Sequence, residues 1–223
     1  MTMSGNRIEV IYDIETQKLF EEIATNDPAD LGISVVSVYR REIDKTGKEI
    51  SGEMKSFWTD EVKDLFGDKE LYFESMWPWF EEADRIIGYN SFGFDNPAMN
   101  GIYMAGDFTK LKHFDVLDEI KKVLGFRIKL DAVAKETIGA GKSADGLDAV
   151  KWWKKRDLES LGNLKKYCEM DVEVTTKVYD FAQSKGKLMF KDKWNEYREI
   201  VVDFSYPVSV PEIAPAEVQM GLF

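Results

Sequence analysis

The sequence predicts a mixed α/β fold, and three observations carry that expectation. RIEVIYDIET alternates and is rich in β-branched residues, so it reads as a strand that ends in an acidic pair. Two further alternating runs flank Lys45-Thr46-Gly47-Lys48 and read as an antiparallel hairpin. Beyond them, short apolar runs alternate with segments of helical spacing, and a long helix follows.

In order, the strand over 7–16 is followed by ISVVSVYRREID and EISGEMKSFW as the hairpin arms. LYFESMWPWFEEAD has apolar residues at helical spacing, interrupted by Pro78, and RIIGYN is a short strand. Pro97 suits the first turn of a helix over PAMNGIYMAG. KHFDVLDEIKKVLG reads as a strand passing into a helix, and LDAVAKETIG as another helix. Residues 139–156, GAGKSADGLDAVKWWKKR, combine glycines with a basic, Trp-containing patch and are expected to form an irregular connection. A long helix from about Leu158 to Ser184 comes next, and KLMFKD and YREIVVDFS read as late strands. From Tyr206 onward, YPVSVPEIAPAEVQMGLF holds three prolines and no periodicity. One domain over 1–205 followed by an extended, flexible tail over 206–223 is therefore expected.

An apolar fraction of 44% in 223 residues suffices for a substantial core. Cys168 is the only cysteine, which excludes an intramolecular disulfide and a cysteine-based zinc cage. MTMSGNRIEV lacks the apolar stretch of a signal peptide, and no run nears the ~18 residues of a membrane span. A cytoplasmic protein without a membrane partner is expected. The net charge of −11 is unusual for a protein that handles nucleic acid, but it is unevenly spread. Residues 1–109 carry 10 Lys+Arg against 22 Asp+Glu, whereas residues 110–193 carry 19 against 14. A basic half beside an acidic half permits phosphate contacts on one face. Taken alone, a solvated surface of uneven charge accounts better for those numbers.

Four acidic residues in three separated patches carry more information. Asp13 and Glu15 are two apart on the first strand, so both side chains leave one face. Alone, the pair reads as a solvent-facing strand end. Asp95 follows a strand at the mouth of a Pro-started helix, where an N-cap is the plainer reading. Phe92 and Phe94 lie beside it in a loop, and aromatics in such a place can stack on a base. Tyr167 and Asp171 are i and i+4 on the long helix, next to the apolar stripe of Leu161, Leu164, Cys168, Val172, Thr175 and Val178. A carboxylate there needs a partner, and a divalent cation is one, although an ordinary rim Asp fits equally well.

As an ordered set, the patches resemble the DEDD superfamily of 3′–5′ exonucleases in its Tyr-containing branch. Asp13 and Glu15 in YDIET match that family's first motif, Asn90 through Asp95 in NSFGFD the second, and Tyr167 with Asp171 in YCEMD the third. GYNSFGFDNP and YCEMDVEVT are especially similar to the proofreading exonuclease domains of family-B DNA polymerases. HFDVLD and LDAVAKETIG resemble that group too, so the similarity covers about residues 7–185. It implies a ribonuclease H-like mixed five-stranded sheet flanked by helices. It also implies a hydrolase that trims 3′ ends with two Mg²⁺ or Mn²⁺ ions held by Asp13, Glu15, Asp95 and Asp171. Tyr167 would orient the attacking water, and Asn90 and Phe94 would contact the terminal nucleotide. No polymerase domain follows, so a freestanding enzyme is expected.

Competing motifs are weaker. His113 is the only histidine and is far from the last motif, where the His-containing branch would need it. GAGKS has Glu136 where a phosphate loop needs its first glycine. Lys151-Trp152-Trp153-Lys154-Lys155-Arg156 reads either as a strand-touching patch or as one buried Trp among solvated lysines. The tail ends in Gln219-Met220-Gly221-Leu222-Phe223, which resembles the bacterial sliding-clamp-binding motif through Gln219, Leu222 and Phe223. That would favour DNA over RNA as the single-stranded substrate and place the enzyme in replication or repair. The alternatives are an exoribonuclease trimming RNA and a non-catalytic nucleic-acid-binding or clamp-adaptor module.

Overall fold

The central strand of the sheet is β1 (Arg7–Thr16). On one side it pairs antiparallel with β2 (Ile33–Ile43), which pairs antiparallel with β3 (Glu49–Trp58). On the other side β4 (Arg85–Gly88) and β5 (His113–Asp115) join in parallel, so the order is β3-β2-β1-β4-β5. The computed structural model describes residues 5–66, 72–140 and 146–206. The mixed five-stranded sheet that the sequence anticipates is thus present.

The β2–β3 turn forms where expected. Asp44 Oδ1 accepts the backbone N–H of Thr46 at 2.8 Å and of Lys48 at 3.0 Å. Gly47 takes a φ of 83°, a conformation that glycine adopts without steric cost.

Strand alternation divides β1 between two cores. Val10, Tyr12 and Ile14 face one layer, with Phe80, Met99 and Phe108. That layer is built by α2 (Trp77–Glu81), α3 (Asp95–Asn100) and their connections, while a short helix α1 (Lys63–Phe66) follows β3. Pro78 lies in the first turn of α2 rather than interrupting a longer helix, because a proline has no N–H to donate there anyway. Ile11 faces the opposite layer, where α4 (Val116–Leu124), α5 (Leu130–Ile138), α6 (Gly146–Lys155) and α7 (Leu158–Lys185) lie. β6 (Lys187–Lys191) and β7 (Tyr197–Val201) form a separate two-stranded antiparallel sheet against this layer.

The long helix matches its expected span to within a residue. Asp157 caps it by accepting Ser160 N–H at 2.7 Å, and Gly186 ends it at a φ of 65°. Leu161, Leu164, Cys168, Val172, Thr175 and Val178 are all buried. Each apolar member contributes about 1.5–3 kcal/mol by leaving water.

The stretch over 139–156 departs from expectation. Residues 141–145 lie outside the described residues, but 146–155 form a helix, α6, rather than an irregular connection. Ala149, Val150 and Trp153 recur at helical spacing and are buried, with Ala149 and Trp153 packed beside Leu161 and Leu164 of α7. Leading glycines and flanking lysines mask that short apolar stripe in the sequence.

A buried polar network fixes α7 on the sheet at the end of β1 away from Asp13. Glu9 is fully buried and accepts from Arg41 Nη2 at 2.7 Å, Tyr179 Oη at 3.0 Å and Tyr206 Oη at 2.7 Å. Arg41 also donates to Asp180 at 2.6 Å. Tyr206, the first residue assigned to the tail, is held with its ring between Arg7 and Arg85, 3.9 and 3.7 Å from their guanidinium carbons. Among the described residues, no helix is long and apolar enough to cross a membrane.

Candidate functional site

Two-residue strand periodicity sends Asp13 and Glu15 to the same face of β1, the face that α7 covers. α7 supplies Tyr167 and Asp171, one helical turn apart and each 4% exposed. Carboxylate oxygens of Asp13, Glu15 and Asp171 all lie within 4.8 Å of one another. At that spacing each like-charged pair repels by roughly 3 kcal/mol at an effective dielectric near 20. Such a cluster is a natural seat for a cation, and an all-oxygen donor set suits Mg²⁺ or Mn²⁺.

Cys168 ties the helix to the strand beside these acids. Its Sγ lies 3.3 Å from the Asp13 carbonyl oxygen and 3.8 Å from Asp13 Oδ2. Burial, then the charges of Asp13 and Glu15, push its pKa well above the usual thiol value, so it remains an S–H donor.

Asp95 is the first residue of α3 and is buried, 5% exposed. Burial, aided by the charges of Asp115 and Asp171, pushes its carboxyl up to about 7. Asp95 lines the same cavity as the other three acids but lies outside the group whose oxygens meet within 4.8 Å.

The residues from Asn90 to Gly93 form the ridge before α3. Asn90 adopts a left-handed φ of 69°, and its side-chain oxygen accepts from Arg127 Nη2. Asp115, at the start of α4, holds the ridge from below. It accepts N–H from Asn90 at 2.8 Å and Phe92 at 2.9 Å while capping α4 through Leu117 at 2.8 Å. Burial pushes its carboxyl up, and these N–H groups oppose that shift by favouring the charged form.

Asp13, Glu15, Asn90, Phe94, Asp95, Tyr167 and Asp171 all line one open cavity of about 430 Å³. The acids, Tyr167, Asn90 and Phe94 are thus brought to one place, whereas Phe92 lines a neighbouring cavity instead. Sequence reasoning missed the rest of the wall: Lys18, Leu19 and Phe20 after β1, and Leu147 and Val150 from α6. Phe20 meets Phe94 edge-on at 6.1 Å, and both Phe20 and Leu147 are exposed, at 41% and 51%. An isolated Phe in TQKLFEE has no periodicity to mark it, and only its closeness to the first motif could have drawn attention.

The basic aromatic patch of α6 resolves into separate roles. Trp153 is buried, with the Arg156 guanidinium carbon 4.4 Å from its ring centre. Trp152 packs edge-on against Tyr167 at 6.1 Å, backing the phenol from behind. Lys151 pairs with Asp148 at 2.9 Å and Lys154 with Glu22 at 2.5 Å. His113 opens β5 and lies outside the cavity lining, as its position in the sequence suggests. Gln219, Leu222 and Phe223 lie outside the described residues.

No curated protein matches this chain. A family model described as RNase_H superfamily does match, over residues 10–183, a span that contains all but the first three residues of the five-stranded sheet, all four acids and Tyr167. Its fold agrees with the mixed sheet described above, and it supports a nuclease-type hydrolase acting on nucleic acid. With most of its length matched and an acidic cluster at the expected place on the central strand, the chain belongs to the RNase_H superfamily.

Proposed function

We propose that this protein is a metal-dependent 3′–5′ exonuclease that hydrolyses phosphodiester bonds at the 3′ ends of single-stranded DNA. The observation that carries the reading is the meeting of Asp13, Glu15 and Asp171 oxygens within 4.8 Å, in a cavity that Asp95 and Tyr167 also line. Membership of the RNase_H superfamily supports nuclease chemistry. The 3′–5′ direction rests on the resemblance of the three motifs to the Tyr-containing DEDD exonucleases.

In this reading Asp13, Glu15, Asp95 and Asp171 hold two divalent cations, Mg²⁺ or Mn²⁺. Bound there, the cations supply charge neutralisation for the phosphodiester and lower the pKa of a water. Tyr167, packed edge-on against Trp152, would use its phenol to orient the attacking water. Asn90 and Phe94 position the terminal nucleotide, and Phe20 extends the aromatic wall on which its base stacks.

DNA is favoured over RNA because Gln219, Leu222 and Phe223 resemble a sliding-clamp-binding motif. The exonuclease domain spans 1–205, and the tail over 206–223 tethers it to a clamp in the cytoplasm during replication or repair. Tethering raises local concentration without new contacts in the site.

The test is a digestion of 5′-labelled single-stranded DNA and RNA with Mg²⁺ or Mn²⁺, with and without chelator. Stepwise shortening from the 3′ end of DNA, lost with chelator and in Asp13→Ala and Asp171→Ala, is expected. Undiminished degradation by either variant sinks the site assignment, and preference for RNA selects the exoribonuclease reading. Removal of residues 219–223 should abolish retention on an immobilised sliding clamp while leaving digestion of free oligonucleotides intact. Unchanged retention ends the clamp proposal.

A further inference from the structure

The Asn90 ridge separates two cavities. Beyond the acidic one lies a second, of about 210 Å³, lined by Asn90, Phe92, Gly93, Asp115, Leu117, Asp118, Lys121 and Arg127. Asn90 belongs to both linings. Any strand whose terminal nucleotide is held at the four acids must leave that cleft, and the acids repel its remaining phosphates. A chain of net charge −11 needs local cations to hold those phosphates.

The second cavity supplies them. Lys121 and Arg127 are exposed, and neither forms an ion pair with a carboxylate among the described residues. Arg127 is engaged with the neutral oxygen of Asn90, which leaves its other N–H groups for an anion. By contrast, Lys151, Lys154 and Arg156 near the other wall are paired with Asp148, Glu22 and Glu61. The two acids of the second cavity are also engaged. Asp115 is buried and accepts four backbone N–H groups, and Asp118 pairs with Lys122 at 3.0 Å. Phe92 is 47% exposed on the same rim, an aromatic ring placed in water. Gly93 keeps the ridge low: a Cβ there would come within 3.1 Å of Asn90 Oδ1.

We propose that this second cavity is the path of the substrate strand on the 5′ side of the terminal nucleotide. Lys121 and Arg127 contact its phosphates and Phe92 stacks on a base. The proposal rests on the nuclease reading and adds to it a place for the body of a single-stranded substrate. Phosphate contacts and stacking of this kind are tolerant of base sequence, so the enzyme would grip any single strand by length.

The test compares a labelled decamer of single-stranded DNA with a dinucleotide too short to reach the second cavity. For Lys121→Ala and Arg127→Ala, kcat/KM on the decamer should fall roughly tenfold more than on the dinucleotide, chiefly through KM. The slope of log affinity against log salt should drop by about 1 for each removed cation. Phe92→Ala should cost roughly fivefold or more on the decamer, and Phe92→Trp should restore it. Equal losses on both substrates, or no loss on either, overturn the path. Wild-type protein that hydrolyses neither substrate refutes the nuclease reading separately. Fluorescence anisotropy of the decamer on the unmodified chain and on the Lys121→Ala and Arg127→Ala variants then decides the path alone. A reduced salt slope in the lysine and arginine variants supports it, and absent binding or an unchanged slope overturns it.

Discussion

The Asp115 carboxylate, at the head of α4, accepts the backbone N–H of Asn90 at 2.8 Å across a sequence separation of 25 residues. Through that bond and its partner to Phe92, one buried acid sets the height and turn of the ridge between the two cavities. It also caps α4, so ridge and helix are coupled.

Asp115→Ala should therefore destabilise the protein by about 2–4 kcal/mol, the loss of a cap plus charge-assisted bonds to buried N–H groups. Asp115→Asn, which keeps one acceptor oxygen, should cost less. Urea unfolding measures both, and a change under about 0.5 kcal/mol for Asp115→Ala would show the bracket to be dispensable.

Arg41 is the main cationic partner of the fully buried Glu9, and it joins that residue to Asp180 of α7. Arg41→Ala leaves Glu9 charged and dry, at a cost of about 3–5 kcal/mol. The double variant Arg41→Met with Glu9→Gln removes both charges and should recover a large part of that loss. Chemical denaturation of the wild type, Arg41→Met, Glu9→Gln and the double variant gives the coupling, and simple additivity of the two single changes would contradict it.

His113 gives a pH dependence whose sign is fixed by its surroundings. Its Nε2 lies 2.7 Å from the carbonyl oxygen of Phe108 and must donate, while Nδ1 is buried with no hydrogen-bond partner among the described residues. Burial lowers its pKa below the ordinary 6.5. The unfolded chain then binds the proton more tightly, so stability is full above 6.5 and declines as pH falls through the lower, folded value. His113→Gln should flatten part of that decline between about pH 7.5 and pH 5.5. As this is the only histidine, imidazole NMR reads its titration directly, and a native pKa at or above 6.5 would refute the account.

Repulsion among Asp13, Glu15 and Asp171 should make the protein gain stability from Mg²⁺. At a cation concentration about 100 times Kd the gain is about 2.7 kcal/mol. Asp171→Asn should raise the melting temperature in chelator yet lose most of the rise on adding Mg²⁺. Thermal unfolding with and without the ion checks this without any activity assay, and equal responses of the two proteins would rule the cluster out as the cation seat.

Much of the site was legible along the chain because its signals are local. Asp13 and Glu15 share a strand face through a two-residue period, and Tyr167 and Asp171 share a helix face through a four-residue step. The central strand, the hairpin and the long helix follow from the same periodicities. Where such a period was short or masked, the reading failed, as for α6 behind its glycines and lysines.

What neighbours in sequence cannot encode is which distant groups meet. The shared cavity of Asp95 with Asp13 and Asp171, the Asp115 bracket under Asn90, Phe20 against Phe94, and the second cavity with Lys121 and Arg127 all join separate elements. So does the hold on Tyr206 by Arg7, Arg85 and Glu9. Residue type and spacing supplied the acids and their order. Packing of α7 and α3 on β1 made them converge, because only closure of the core sets distances between residues far apart in the chain.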